Sequence, residues 1–277
     1  MASFPSIFVS HGAPDLLLTA SPALEFFQQL GAQLGQPKAI LVISAHWTTP
    51  VPTVSLATQP ETIHDFWGFP APLYELTYPA PGAPELADRV SKQLIEAGMI
   101  CELAADRGLD HGAWEPLMAM YPDAKIPVTQ LSVQPHLGPA HHVQMGRALA
   151  ALRQEGVLVL ASGAITHNLS KFRGHAFDAQ PPTWVTQFDD WLAETITASE
   201  LTASSLDRLL EYRRLAPYAV ENHPTEEHFL PLFVAIGAGG LNPQGQRLHS
   251  SFTYGILSMA AYAFNEAMTI PVVFKTK

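Results

Sequence analysis

Twelve histidines fall among 277 residues, and their positions say more than their number. His11 follows the apolar run at 6–10 (SIFVS), His46 follows 39–45 (AILVISA), and His167 lies just beyond the run starting at Val157 (VLVLASGAIT). Each run reads as a strand, so these histidines sit at strand carboxyl ends, where loops of an open α/β sheet converge on ligands. Imidazole titrates near neutrality, which suits it both to metal ligation and to proton transfer. His228, in Pro224-Thr225-Glu226-Glu227-His228, is expected in the first turn of a helix capped by Thr225. A helix N-terminus disfavours an imidazolium and leaves the neutral ring available as a ligand or electrophile. His111, in Asp110-His111-Gly112, has Asp110 beside it as the expected orienting partner. His64 lies in a long aromatic-rich loop that is placed to cover a pocket. His136, His141, His142, His175 and His249 read as loop or solvated-face residues, and His223 before Pro224 as a turn residue.

Other chemistries fail on inspection. The chain has no GxSxG nucleophile elbow, no GxxxxGK[ST] phosphate loop, no GxGxxG after a strand and no HExxH. Its single cysteine, Cys101, cannot form an intramolecular disulfide and reads as a small buried residue in a reducing compartment. Fifteen Lys and Arg against 25 Asp and Glu give a net charge of −10, which repels a phosphate backbone and sets nucleic acid aside. Apolar residues make up 47% and charged ones 14%, the balance of a compact globular chain. No apolar stretch is long enough to span a membrane, and the N-terminus lacks the basic region of a signal peptide, so a cytoplasmic protein is expected.

These side chains need a scaffold, and the pattern supplies one: short β-branched runs alternate with amphipathic stretches, without repeats or linkers. The fold class expected is α/β, a single domain over 1–277 with a largely parallel central sheet flanked by helices and the metal site at the strands' C-terminal ends. Strands are expected at 6–10, 39–45, 51–56, 126–133, 157–161 and 249–259. Helices are expected from Ser21-Pro22 to Leu34, at 85–97 with Gly98 as stop, and at 139–155, 183–198, 205–215 and 226–236. Gly237 to Gly240 reads as a helix stop. Loops at 59–84 and 173–182 are long and Pro-rich, as functional loops often are.

FVSHGAP (8–14), ISAHW (43–47), TIHDFWGFP (62–70), YELTYPAPG (74–82), DHGAW (110–114), ASGAITHNL (161–169) and PTEEHFLPL (224–232) stand in that order over most of the chain. Together they resemble the class III extradiol ring-cleaving dioxygenases, the LigB superfamily, and within it the 4,5-DOPA extradiol dioxygenase-like group. The resemblance implies that His11, His46 and His228 are metal ligands. It implies that His167 is the acid/base, or a fourth ligand in a resting zinc form, and that His111 contacts substrate or oxygen. The implied reaction opens a catechol with O2 beside its hydroxyls, giving a muconic semialdehyde-type product. Non-haem Fe(II) is the metal expected for turnover, because Zn(II), which fits the same histidines, is redox-inert. Many relatives use two histidines and a carboxylate; here the third position is histidine, and the adjacent Glu226 and Glu227 keep a carboxylate ligand open. His64, Trp47 and Trp114, with Phe66, Trp67, Phe69 and Tyr74, are expected to line the ring's pocket. A zinc-dependent hydrolase built on the same histidines is the alternative enzyme, and a zinc site without catalysis the alternative to an enzyme. The sequence does not set the oligomeric state.

Overall fold

Apolar runs without alternation form strands covered on both faces, and the computed structural model, which describes residues 3–198 and 202–266, is built around them. The order is β1 (Ser6–Ser10), α1 (Pro22–Leu34), β2 (Ala39–Thr48), β3 (Thr53–Ser55), α2 (Pro84–Glu96), β4 (Glu102–Ala104), α3 (His111–Met120), β5 (Val128–Val133), α4 (Gly138–Leu149) and β6 (Val157–Gly163). There follow α5 (Thr183–Thr197), α6 (Ala203–Leu210), α7 (Tyr212–Leu215), α8 (Ala219–Asn222), α9 (Leu230–Ala238), β7 (Gln244–His249), β8 (Phe252–Thr253), β9 (Leu257–Ser258) and β10 (Ala261–Asn265). The ends of the expected 1–277 domain, 1–2 and 267–277, and residues 199–201 lie outside the described residues.

Eight strands form one sheet in the order β4-β3-β5-β2-β6-β1-β10-β7. Its centre is parallel: Val42 of β2 lies beside Leu160 of β6, and Leu160 beside Ile7 of β1. Successive side chains of a strand point to opposite faces, which sorts the core. Phe8, Leu41 and Ile43 pack with α2, α4, α5 and α9, whereas Ile7, Val9, Ile40 and Val42 pack with α1 and α3. Parallel strands of this kind deliver all their C-terminal ends to one edge, and β1, β2 and β6 lie side by side there.

The structure corrects several expected boundaries. The expected strand at 249–259 is instead a small β8–β9 hairpin, flanked by β7 and β10, which pair antiparallel at the edge of the main sheet. The 205–215 helix is broken at Glu211, and α9 begins at Leu230 rather than Glu226. β2 runs on to Thr48, so His46 lies within the end of the strand, where register with β5 shifts between Ile43 and Thr48. Helix α3 was not expected; Pro116 inside it and the missing side-chain cap hide it from pattern reading. Cys101 is half-buried rather than enclosed. Among the described residues no helix is long and apolar enough to cross a membrane.

His142, expected on a solvated face, is fully buried in α4. Its Nε2 accepts the Gln134 N–H at 3.1 Å while its Nδ1–H donates to the Gly138 carbonyl at 2.7 Å. Burial pushes its pKa down to about 4, and a second proton would meet the Gln134 N–H. A histidine whose folded pKa is lowered stabilises the fold above its unfolded value near 6.5 and loses that contribution as pH falls toward the folded value. We therefore expect stability to fall from pH 6.5 to 4.5, with His142 contributing up to about 1.4 kcal/mol per pH unit. Urea midpoints of the wild type and His142→Gln across that range check this; equal slopes would remove His142 from the account.

Candidate metal centre

The carboxyl ends of β1 and β2 and the turn before α9 bring His11, His46 and His228 together, with donor atoms all within 4.8 Å of one another. The Nε2 atoms of His11 and His46 are 3.2 Å apart and those of His46 and His228 3.1 Å. Bonds of about 2.1 Å to one ion place neighbouring ligand nitrogens roughly 3.0–3.4 Å apart at octahedral or tetrahedral angles. The donor set therefore fits a single transition-metal ion.

What turns the three Nε2 atoms inward is a partner behind each ring. His11 Nδ1 lies 2.9 Å from Ser162 Oγ on β6. The Ser162 hydroxyl proton is already committed to the Gly112 carbonyl, so this oxygen accepts from His11. His46 Nδ1 lies 3.1 Å from Asp65 Oδ2, and His228 Nδ1 lies 3.1 Å from Glu227 Oε1; carboxylates only accept. Each ring thus carries its proton on Nδ1 and a lone pair on Nε2. Burial, then the neighbouring imidazoles, hold His11 and His228 well below the ordinary histidine range.

Asp65 is the residue sequence reading missed. Its Oδ1 accepts from both the backbone N–H and Nδ1 of His111, at 3.0 and 2.8 Å, while Oδ2 holds His46. Burial opposes its charge, but hydrogen bonds from His111 and His46 outweigh that and keep the carboxyl far below its usual range. Its position within TIHDFWGFP was the available clue. Asp110, expected to orient His111, instead takes hydrogen bonds from Ser44, Arg107 and Gln130 and anchors the start of α3. That anchoring sets Gly112 against the cluster: a Cβ there would lie 2.6 Å from Ser44 Oγ and 3.1 Å from the His46 ring.

His167 stacks on His228, with ring centroids 3.4 Å apart and planes 12° from parallel. Burial, then His223, His46 and His111, bring its pKa down to about 3. His228 lies in the turn before α9 rather than within its first turn, and Thr225 bonds Glu227 instead of capping that helix. Glu226 accepts from Tyr212 away from the cluster, whereas Glu227 backs His228.

The expected aromatic wall is only partly where it was placed. Trp114 is fully buried, its Nε1–H donating to the Ile63 carbonyl, so it supports the His64 and Phe66 rings from behind instead of facing a ligand. Trp47 is nearly covered, with Arg107 over its ring at 5.3 Å. His64 is half-buried and bonds the Leu76 carbonyl at 3.0 Å, and Phe66 stands edge-on to His111. Trp67, next in the same loop, is 86% exposed. A groove of about 910 Å³ between α1 and residues 118–126 contains none of these histidines.

Comparison with known proteins identifies the family to which this chain belongs. A Beta vulgaris protein named 4,5-DOPA dioxygenase extradiol is 44% identical over 263 residues, covering 94% of this chain and 96% of its own. An Escherichia coli K12 protein of the same name is 40% identical over 235 residues, 84% of each chain. A crystal structure of an uncharacterised Escherichia coli K12 protein superposes with a TM-score of 0.78 at 33% identity, covering 94% of this chain and 99% of that one. The model of the catalytic LigB subunit of aromatic ring-opening dioxygenases matches residues 5–265, and the chain belongs to that family.

Proposed function

We propose that this protein is an extradiol dioxygenase that opens the ring of a substituted catechol, DOPA or a close analogue, with His11, His46 and His228 holding a non-haem Fe(II). One observation carries the reading: three histidines, each backed at Nδ1, bring their donor atoms within 4.8 Å of one another, with the rings of His111 and His167 packed against His46 and His228. Three facial ligands leave coordination positions for both catechol oxygens and O2. The iron, when bound, would supply a path for electron density from catecholate to O2. Zinc suits the same nitrogens but not that step.

The chain's own groups handle the protons. His167, neutral at pH 7, accepts the proton of a catechol hydroxyl as the substrate docks and returns it when the ring opens. His111, with its Nδ1–H committed to Asp65, presents Nε2 to the substrate side; it accepts from a hydroxyl when neutral and donates to oxygen once protonated, Asp65 steadying that charge. Phe66, His64 and Tyr74 form the adjacent aromatic surface. The product expected is a muconic semialdehyde-type compound.

The direct test loads metal-free protein anaerobically with Fe(II), adds L-DOPA or a 4-substituted catechol, and follows O2 uptake and visible absorbance together. One O2 per yellow product, with none from zinc-loaded protein, is the expected result; no uptake across a catechol panel at full iron occupancy would favour the zinc-hydrolase alternative. Substitution separates the histidines: His11→Ala, His46→Ala and His228→Ala should each lose metal and activity together. His167→Ala should keep its iron and lose turnover by about 100-fold or more, and metal loss there would make it a ligand. Asp65→Asn, which leaves one imidazole N–H without an acceptor, should weaken iron retention against a chelator by about 10- to 100-fold; unchanged retention would show that the His46 orientation is set elsewhere.

A further inference from the structure

We propose that His223 is a positioning residue of this site, the group that holds His167 in its stack on His228; the proposal rests on the proton-transfer role given to His167 above. Among the described residues the His167 ring makes no side-chain hydrogen bond, so the ring's place is decided by how its backbone is held. The segment around His167 is gripped at successive points by residues 221–223. The Glu221 carbonyl accepts from Asn168 Nδ2 at 2.6 Å, the Asn222 carbonyl accepts the His167 N–H at 3.0 Å, and His223 Nε2–H donates to the Ile165 carbonyl at 2.7 Å. On the other side the Ala164 N–H donates to the His228 carbonyl at 2.8 Å, tying the same segment to the metal-ligand turn.

Only one of the three grips is made by a side chain of the 221–223 segment, that of His223. Its imidazole is fully buried in an aromatic box of Phe188, Tyr212 and Phe229, with ring centroids 5.6, 6.4 and 4.7 Å away. Phe229 directly follows His228. His223 Nδ1 has no hydrogen-bond partner, so an apolar ring would fill the box at lower desolvation cost. What an apolar ring lacks is the donor that reaches Ile165. The expectation of a turn residue at 223 is corrected accordingly: the residue is core, and its one hydrogen bond points at the segment that carries His167.

The test compares three variants of the full chain. The amide of His223→Gln reaches the Nε2 position, His223→Asn is too short to do so, and His223→Phe fills the box without a donor. In iron-loaded protein with L-DOPA, Asn and Phe should lower kcat by about ten- to hundredfold, with KM and iron content within about twofold of wild type, while Gln restores kcat to within about threefold. In metal-free protein, amide exchange over 164–168 should speed up in Asn and Phe and not in Gln. Equal behaviour of Gln and Asn, or a kcat loss matched by iron loss, would overturn the proposal. If Phe does not fold, the Gln–Asn pair decides it. If the wild type consumes no O2 with any catechol, the proposed function falls, and exchange alone decides the grip: faster exchange in Asn than in Gln supports it and equal exchange overturns it.

Discussion

An imidazole has two nitrogens, and three imidazoles can share one ion only if each turns an unprotonated nitrogen to the same point. In this protein that constraint is met from behind: Ser162, Asp65 and Glu227 each occupy an Nδ1 and leave each Nε2 lone pair facing inward. The three partners come from a strand, a long loop and a turn, so the centre is defined only when the whole sheet edge is assembled. Close backbone approach is part of the same demand. A Cβ on Gly163 would lie 2.2 Å from the His228 carbonyl, and side-chain-free residues at 112 and 163 let helix, strand and turn meet around the cluster.

The proton chemistry follows from burial. Gathering His11, His111, His167 and His228 away from water disfavours their charged forms, and each neighbouring imidazole adds to the effect. Asp65 is the local counterweight, a carboxylate kept ionised by the two rings it orients. The cluster is therefore made of neutral imidazoles, with one negative charge beside them that can stabilise a proton on His111.

Much of this was legible in the sequence where physics is local. β1, β2 and β6 are buried on both faces, so they read as unbroken apolar runs, and His11, His46 and His167 could be placed at their ends. α1 was marked by Ser21, whose side chain does accept the Leu24 N–H. The turn carrying His228 was misread because Thr225 and two glutamates imitate a helix start that tertiary contacts displace to Leu230. Asp65 and His223 were invisible as partners because what they bond, His46 and Ile165, lies far away in sequence. β7 escaped for a related reason: an edge strand such as Gln244–His249 alternates exposed and half-buried residues, and only its pairing identifies it.

The loop that carries Asp65 also carries Trp67 two residues on, and the two face opposite demands. Asp65 is tied to both His46 and His111 and cannot shift without loosening both rings. Trp67 is mostly in solvent, and Gly68 after it turns the chain at a φ of +80° that a side chain would strain. The segment thus joins a constrained side to a free one: Asp65 is locked between His46 and His111, while the Trp67 side chain can be exchanged at little structural cost. A fold arranged in this way concentrates its constraint on one face of a single loop and leaves the other face to the solvent.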